Sequence, residues 1–246
     1  MSEQIIYSKD GAVASIRFNR PEKKNAISVA MYQAMIDALA DADASDEVRA
    51  VGIFGGDVFT AGNDIADFVA SGNFDQNHPV LQFLHAIRDF RKPIVAAVKG
   101  PAIGIGTTLL MHCDAVVAGA SARFSLPFTK LGLVPEAGSS VLFPLIAGRM
   151  RASWYLLSGE QFGAQQALEM GLITRITADE DVDGAVAMMC GELAELPATS
   201  VRNTKQLLKA PFASLVSSAM NEEVRLFAAA LQSDEARMAL MKFLQR

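Results

Sequence analysis

Cysteine is scarce in this 246-residue chain: Cys113 and Cys190 are the only two, with no CxxC or CxxH spacing. That excludes a disulfide framework and a structural zinc site, and it fits a reducing compartment. Three histidines occur, His78, His85 and His112, none of them near a serine or cysteine in a nucleophile motif. GxSxG is absent, and each histidine reads as a surface or satisfied core residue. No histidine or carboxylate cluster has metal-ligand spacing. GxGxxG and P-loop spacings are missing too, which leaves a nucleotide-binding reading weak. Positive charge is not in excess, since 22 basic residues face 27 acidic ones for a net charge of −5. Polyanions such as nucleic acid are therefore poor default partners. No run is long and apolar enough for a bilayer. The most apolar stretch, 100–113, already contains His112 and is bounded by Lys99 and Asp114. The first ten residues carry no secretory or transit pattern.

What is present is 51% hydrophobic and 20% charged residues, enough for one large domain or a domain with a smaller appendage. Residues 5–8 and 13–18 flank Lys9-Asp10-Gly11, where Asp-Gly supplies the positive φ of a hairpin turn. Ser28 can cap a helix whose apolar positions Met31, Met35 and Leu39 recur every four residues. Segments 48–54, 93–98 and 115–118 read as buried strands, with a helix over 105–112 between the last two. That order implies parallel pairing in an α/β core. A further short strand is expected over 124–126. After about residue 148 the pattern turns helical: 149–157, 164–170, 182–196, 199–208 and 212–244. The expected organisation is an α/β core over 1–195 and a C-terminal helical region over 196–246. That region is apolar for a solvated appendage and points to packing on another subunit.

Two glycine-rich junctions follow strands and lead into helices: Phe59-Thr60-Ala61-Gly62-Asn63-Asp64-Ile65 and Gly100-Pro101-Ala102-Ile103-Gly104-Ile105-Gly106. Glycine permits the unusual φ/ψ and close approach that aim a backbone N–H outward, and a helix N-terminus adds partial positive charge. Two such donors can converge on one oxyanion. From spacing alone, an ordinary strand-to-helix turn is the simpler reading of each. Glu136 follows Leu133, Val134 and Pro135. In an apolar pocket its neutral form would be favoured, making it a proton acceptor and donor. Taken alone, a carboxylate near a helix start is the simpler reading.

Taken together, these segments resemble the crotonase (enoyl-CoA hydratase/isomerase) superfamily. The resemblance rests on Asn19-Arg20-Pro21-Glu22-Lys23-Lys24-Asn25-Ala26, then 59–65, 99–114 and 124–140, in that order, and extends to 157–160 and 167–172. It implies a spiral of ββα units with a helical C-terminal trimerisation region, assembling as a homotrimer or as a hexamer of two trimers. It implies an acyl-CoA thioester substrate, CoA being part of the substrate and no separate cofactor being needed. The backbone N–H groups of Asn63 and Ile105 are the implied oxyanion donors. The family usually has a smaller residue where Asn63 stands. The implied CoA contacts are the backbone around Lys24–Ala26 and Ala61, Gly62, Asp64 and Ile65, with Lys23 or Lys24 near phosphates and Phe243 and Arg246 at the C-terminus. Val69, Phe74, Leu81, Phe83 and Leu84 are candidates for the acyl pocket.

Hydratases of the family use two glutamates. Their positions here hold Thr108 and Phe128, neither of which is a general base near neutral pH. Residues 127–138, by contrast, are similar to the segment that carries the single catalytic glutamate of peroxisomal-type 3,2-trans-enoyl-CoA isomerases, and that glutamate falls on Glu136. The resemblance thus implies a double-bond shift by one base. The alternatives are a 2-enoyl-CoA hydratase or other crotonase-type lyase and, outside enzymes, a non-catalytic acyl-CoA-binding subunit. The chain ends Leu244-Gln245-Arg246 without a peroxisomal tripeptide, so a cytoplasmic protein without membrane or nucleic-acid partners is expected.

Overall fold

A computed structural model describes residues 3–70 and 77–244, apart from the side chains of Val69 and Leu244. Strands β1 (Ile5–Asp10) and β2 (Val13–Phe18) form the expected antiparallel hairpin, with Gly11 at φ 55° in the turn. Helix α1 (Val29–Ala44) starts at Ser28, whose side chain accepts the Met31 N–H. Strands β3 (Ala50–Phe54), β4 (Ile94–Val98), β6 (Ala115–Gly119) and β9 (Arg175–Thr177) add in parallel, giving the order β1-β2-β3-β4-β6-β9. Every residue of β3 and β4 is buried, because helices cover both faces. Alternation divides them. Ala50, Phe54, Val95, Ala97 and Val117 meet Val182, Val186 and Cys190 of α8 (Val182–Glu195), while Val51, Ile53, Ile94, Ala96, Val98 and Val116 face the main core.

A smaller sheet joins β5 (Pro101–Ile103) in parallel to β7 (Arg123–Ser125), and β7 antiparallel to β8 (Phe162–Gly163). Single bridges Ile27 to Asn63 and Thr60 to Ala102 extend its role to the loops after β2 and β3. The chain thus passes repeatedly from the large sheet to the small one and returns through a helix. This is an α/β fold with a helical C-terminal region, in agreement with the fold class read from the sequence. Phe124, Phe143, Tyr155 and Phe162 stack behind the small sheet, Phe124 and Phe162 at 5.5 Å between centroids. Truncating Phe124, which is fully buried, would cost about 3–5 kcal/mol.

Several elements differ from expectation. The helix after Gly104 is split into α4 (Ile105–Thr108) and a 3-10 turn, Leu109–His112. The stretch 212–244 breaks at Gln232-Ser233 into α10 (Ala213–Leu231) and α11 (Asp234–Leu244), where the Ser233 hydroxyl accepts the Ala236 N–H. Helix α3 (Pro79–Asp89) was not anticipated, whereas α2 (Ile65–Ala70) is the helix expected after the first glycine junction and α5 (Ser139–Ala147) is the helix start expected near Glu136, read without bounds. Pro144 inside α5 disguises the extent of that helix, since it removes an N–H and reads as a breaker. The remaining helices are α6 (Arg149–Ser158), α7 (Ala164–Met170) and α9 (Ala198–Lys209). No helix among the described residues is long and apolar enough to cross a membrane.

Candidate active site

The two glycine junctions lie side by side because the backbone laces them together. Thr60 N–H donates to the Pro101 carbonyl at 2.9 Å, and Ile103 N–H returns to the Thr60 carbonyl at 3.1 Å. Glycine is required at this approach. A Cβ on Gly62, at φ 92°, would sit 2.9 Å from the Ile103 carbonyl oxygen, and one on Gly106 would sit 2.4 Å from Thr60 Cγ2. In the bridge between Ile27 and Asn63, the N–H groups of Ile27 and Asp64 make the bonds, so that of Asn63 turns the other way. Ile105 is the first residue of α4, where an N–H has no intrahelical acceptor. Neither N–H donates to any acceptor among the described residues. The sequence-derived pair of donors is thus available.

Glu136 reaches the same place from the loop before α5. The Thr108 hydroxyl at the end of α4 donates to its carboxylate, and that hydroxyl also lies 3.4 Å from the Ile105 carbonyl oxygen. On the other side Tyr32 of α1, buried and packed on Phe83, donates to Asn63 Oδ1 at 2.5 Å and feels the Glu136 charge. Glu136 is half-buried. The protein around it nevertheless strips hydration from the charged form, and with a smaller push from the charge of Glu223 this outweighs the Thr108 bond. The carboxyl is raised to about 8.

The backbone beyond Glu136 is unusual. Ala137 has φ 60°, a left-handed conformation that costs a side-chain-bearing residue on the order of 1–3 kcal/mol. It persists because neighbours hold it. His112 Nε2 donates to the Ala137 carbonyl at 2.7 Å, and burial keeps this ring neutral, down to about 4. The buried Glu223 accepts from the Gly138 N–H at 2.6 Å, the Ser140 N–H at 2.9 Å and the Ser140 hydroxyl at 2.5 Å. His112 matches the sequence reading as a satisfied core histidine. Thr108, Tyr32 and Glu223 were not read as partners of this site. For Glu223 a signal existed: it shares the apolar stripe Val216, Met220 and Phe227 of α10, where a carboxylate needs partners.

The segments with candidate CoA contacts also come together. Ala61 N–H donates to the Lys24 carbonyl at 2.9 Å, Ile27 N–H to the Gly62 carbonyl at 2.8 Å, and Thr60 Oγ1 to the Asn25 carbonyl at 2.6 Å. Lys23 and Lys24 are exposed at this edge, with Ala26, Ala61 and Ile65 half-buried. The Asp64 carboxylate is occupied by Arg20 at 2.8 Å, which holds it below the usual carboxylate range. Asp64 thereby fastens the 20s loop to the 60s loop. Phe243 is half-exposed on α11, which packs against α2. Leu81, Phe83 and Leu84 of α3 are core residues, buried to within 2%. Phe128 is buried. Phe74, Arg246 and the side chain of Val69 lie outside the described residues. No group of three or more potential metal ligands occurs among the described residues.

The family model described as enoyl-CoA hydratase/isomerase matches residues 8–246. The chain belongs to this family. Among relatives, enoyl-CoA delta isomerase 2 of Rattus norvegicus is 37% identical over all of this chain and 64% of its own length. Enoyl-CoA delta isomerase 3, peroxisomal, of Mus musculus is 32% identical, with 100% of this chain and 79% of that protein covered. The chain therefore spans just under two thirds of the rat relative. Among solved structures, Pseudomonas aeruginosa OdaA superposes with a TM-score of 0.97 at 40% identity, both chains covered completely. The enoyl-CoA hydratase/isomerase family thus accounts for the full α/β core and the helical C-terminal region alike.

Proposed function

We propose that this chain is an enoyl-CoA isomerase that moves the double bond of a 3-enoyl-CoA to the 2-trans position. The observation that carries the reading is Glu136: a carboxyl raised to about 8 and bonded to Thr108 of α4, the short helix whose first N–H, that of Ile105, lacks an acceptor among the described residues, as does that of Asn63. Thr108 stands where the family's hydratases carry a glutamate. It donates its proton to Glu136 instead of supplying a second base. The names of the rat and mouse relatives support the same reading.

In this mechanism the Glu136 carboxylate removes a proton from C2 of the substrate. The C2–H electron pair moves into the thioester, and the oxygen gains negative charge against the N–H groups of Asn63 and Ile105. The resulting dienolate takes the same proton from Glu136 at C4, leaving a C2=C3 double bond and a regenerated carboxylate. No water enters the product. A group near 8 suits both halves, since it must take a proton and give it back close to neutral pH. One oxyanion donor contributes roughly 3 kcal/mol to such a step. The CoA portion would lie along Lys23, Lys24 and Ala26 and along Ala61, Gly62, Asp64 and Ile65, with Phe243 and Arg246 from the C-terminal region. The region 196–246 would build a homotrimer or a hexamer. The Asn63 side chain, fixed by Tyr32, would shape the acyl pocket.

A product assay tests this. Purified protein is given a trans-3-enoyl-CoA and, separately, a trans-2-enoyl-CoA. Conversion of the first without change in mass is expected. Gain of one water by the second, with the first untouched, would make the chain a hydratase and overturn the reading of Thr108. Tight CoA-ligand binding with no turnover of either would make it a binding subunit.

A further inference from the structure

The peptide unit that joins Ala137 to Gly138 is gripped at both ends. Its carbonyl accepts from His112 Nε2 at 2.7 Å, and its N–H donates to Glu223 Oε2 at 2.6 Å. The two side chains come from different parts of the chain, His112 from the 3-10 turn after α4 and Glu223 from α10, 25 and 85 residues away from their partners. Both are buried, at 7% and 6% exposure, so solvent cannot easily replace either bond. The other Glu223 oxygen holds Ser140 through its N–H and hydroxyl. Gly138 is the N-cap of α5 and has no side chain with which to cap it, so Glu223 supplies the missing acceptor from another helix. Glu136 is tied in through its own carbonyl, which accepts the Ser139 N–H at 3.1 Å.

A peptide plane fixed at both its oxygen and its nitrogen cannot rotate. Rotation of this plane would change ψ of Ala137 and φ of Gly138, which stands at 72°, and would let the turn that carries Glu136, with Ala137 at φ 60°, swing on its stem. Neither His112 nor Glu223 bonds to the Glu136 carboxylate itself; that contact belongs to Thr108.

We propose that His112 and Glu223 are positioning residues that lock the 137–138 peptide and thereby aim the Glu136 carboxyl, making α10 part of the catalytic machinery. The proposal rests on Glu136 being the proton shuttle. It gives α10 a role beyond packing, since any shift of this helix moves the anchor of the base. It also explains why a carboxylate stands on the apolar stripe of α10, where a leucine would pack without needing three donors.

The test compares Glu223→Gln, Glu136→Gln and the double variant in isomerisation of a trans-3-enoyl-CoA, with CoA-ligand binding and thermal unfolding measured alongside. Glu223→Gln keeps size but presents an amide to the Gly138 N–H or the Ser140 pair. It should lose about 10- to 100-fold in kcat, in line with a base misplaced by about an ångström, with KM changed less than about threefold. In the Glu136→Gln background the same change should add no further loss, because a positioning residue acts only through the group it positions. A general structural role would lower both backgrounds alike and raise KM. His112 provides a second pair should Glu223→Gln not fold. His112→Gln, which retains a donor for the Ala137 carbonyl, should keep more than about half of kcat, and His112→Leu should lose about tenfold or more. Full kcat in Glu223→Gln or His112→Leu, with Glu136→Gln inactive, would overturn the lock and leave the proton shuttle standing. An active Glu136→Gln would overturn both.

Discussion

Two carboxylates near the start of α5 show how one chain makes opposite uses of the same functional group. Glu223 on α10 and Glu136 in the loop both suffer burial, which pushes both upward from the ordinary glutamate range. Glu223 is met by three donors and has no open side. Glu136 is met by the Thr108 hydroxyl and is only half-buried. A carboxylate held by three donors and closed to solvent serves to hold structure. One with a single donor and only half-buried retains the capacity to accept a proton from elsewhere. The difference lies in donor count, not in residue type.

The largest expected effect separates the two directly. Glu136→Gln preserves shape and removes the base, and should lower turnover by about a thousandfold or more while the thermal midpoint stays within a few degrees, as steady-state kinetics and calorimetry would record. Normal turnover would deprive Glu136 of its distinction from Glu223.

Next in size is the donor side of the cleft. Gly62→Ala forces a side chain onto backbone at φ 92° and against the Ile103 carbonyl oxygen. It should destabilise the fold by about 1–3 kcal/mol in urea titration and cost at least about tenfold in kcat by displacing the Asn63 N–H. A variant with normal kcat would show that the junction spacing does not matter to the chemistry.

Thr108→Val sharpens the comparison by removing the single donor to Glu136. That bond pulls the carboxyl down against burial, so its loss must raise it further. The wild-type kcat/KM should climb with pH and level off above an inflection near 8, since the base works ionised. In Thr108→Val the inflection should move to higher pH, with a loss of about three- to tenfold at neutral pH. An inflection that stays in place would mean that Thr108 is not the donor that matters.

The smallest effect is thermodynamic. Glu136 stays protonated in the fold up to about 8 and ionises from about 4.5 in the unfolded chain, so folding takes up a proton between these values. Stability contributed by the neutral form is complete at low pH and is lost as pH rises through that window. Relative to Glu136→Gln, the wild type should therefore lose stability from about pH 5 to pH 8. The difference is at most roughly 3 kcal/mol, because part of the side chain is open to water. A flat difference across the window would place the carboxyl in its ordinary range.

Local signals carried much of this protein. The Ser28 cap, the Asp-Gly hairpin and the apolar runs of β3, β4 and β6 were all legible because each depends on neighbours within a few residues. Among strands of two or three residues, β7 was expected one residue further along, while β5, β8 and β9 were not read, since they contain less than two periods of any pattern. The extent of helix α5 was hidden by Pro144, and the break before α11 depends on a hydroxyl that caps either way. At the site, the glycine junctions and Glu136 stood out by composition, and family resemblance joined them in one cleft.

The sequence by itself determined the alternation that buries the parallel sheet, the glycines that let two backbones approach, and the presence of one carboxyl after an apolar triplet. Tertiary structure alone decided which groups meet that carboxyl. Thr108 is 28 residues from Glu136, Tyr32 is 31 from Asn63, and Glu223 is 85 from Gly138. Contacts at such separations leave no periodicity in the chain, because they follow from how the sheets and helices stack. A buried carboxylate becomes a fastening or a base according to the donors that this stacking brings within reach.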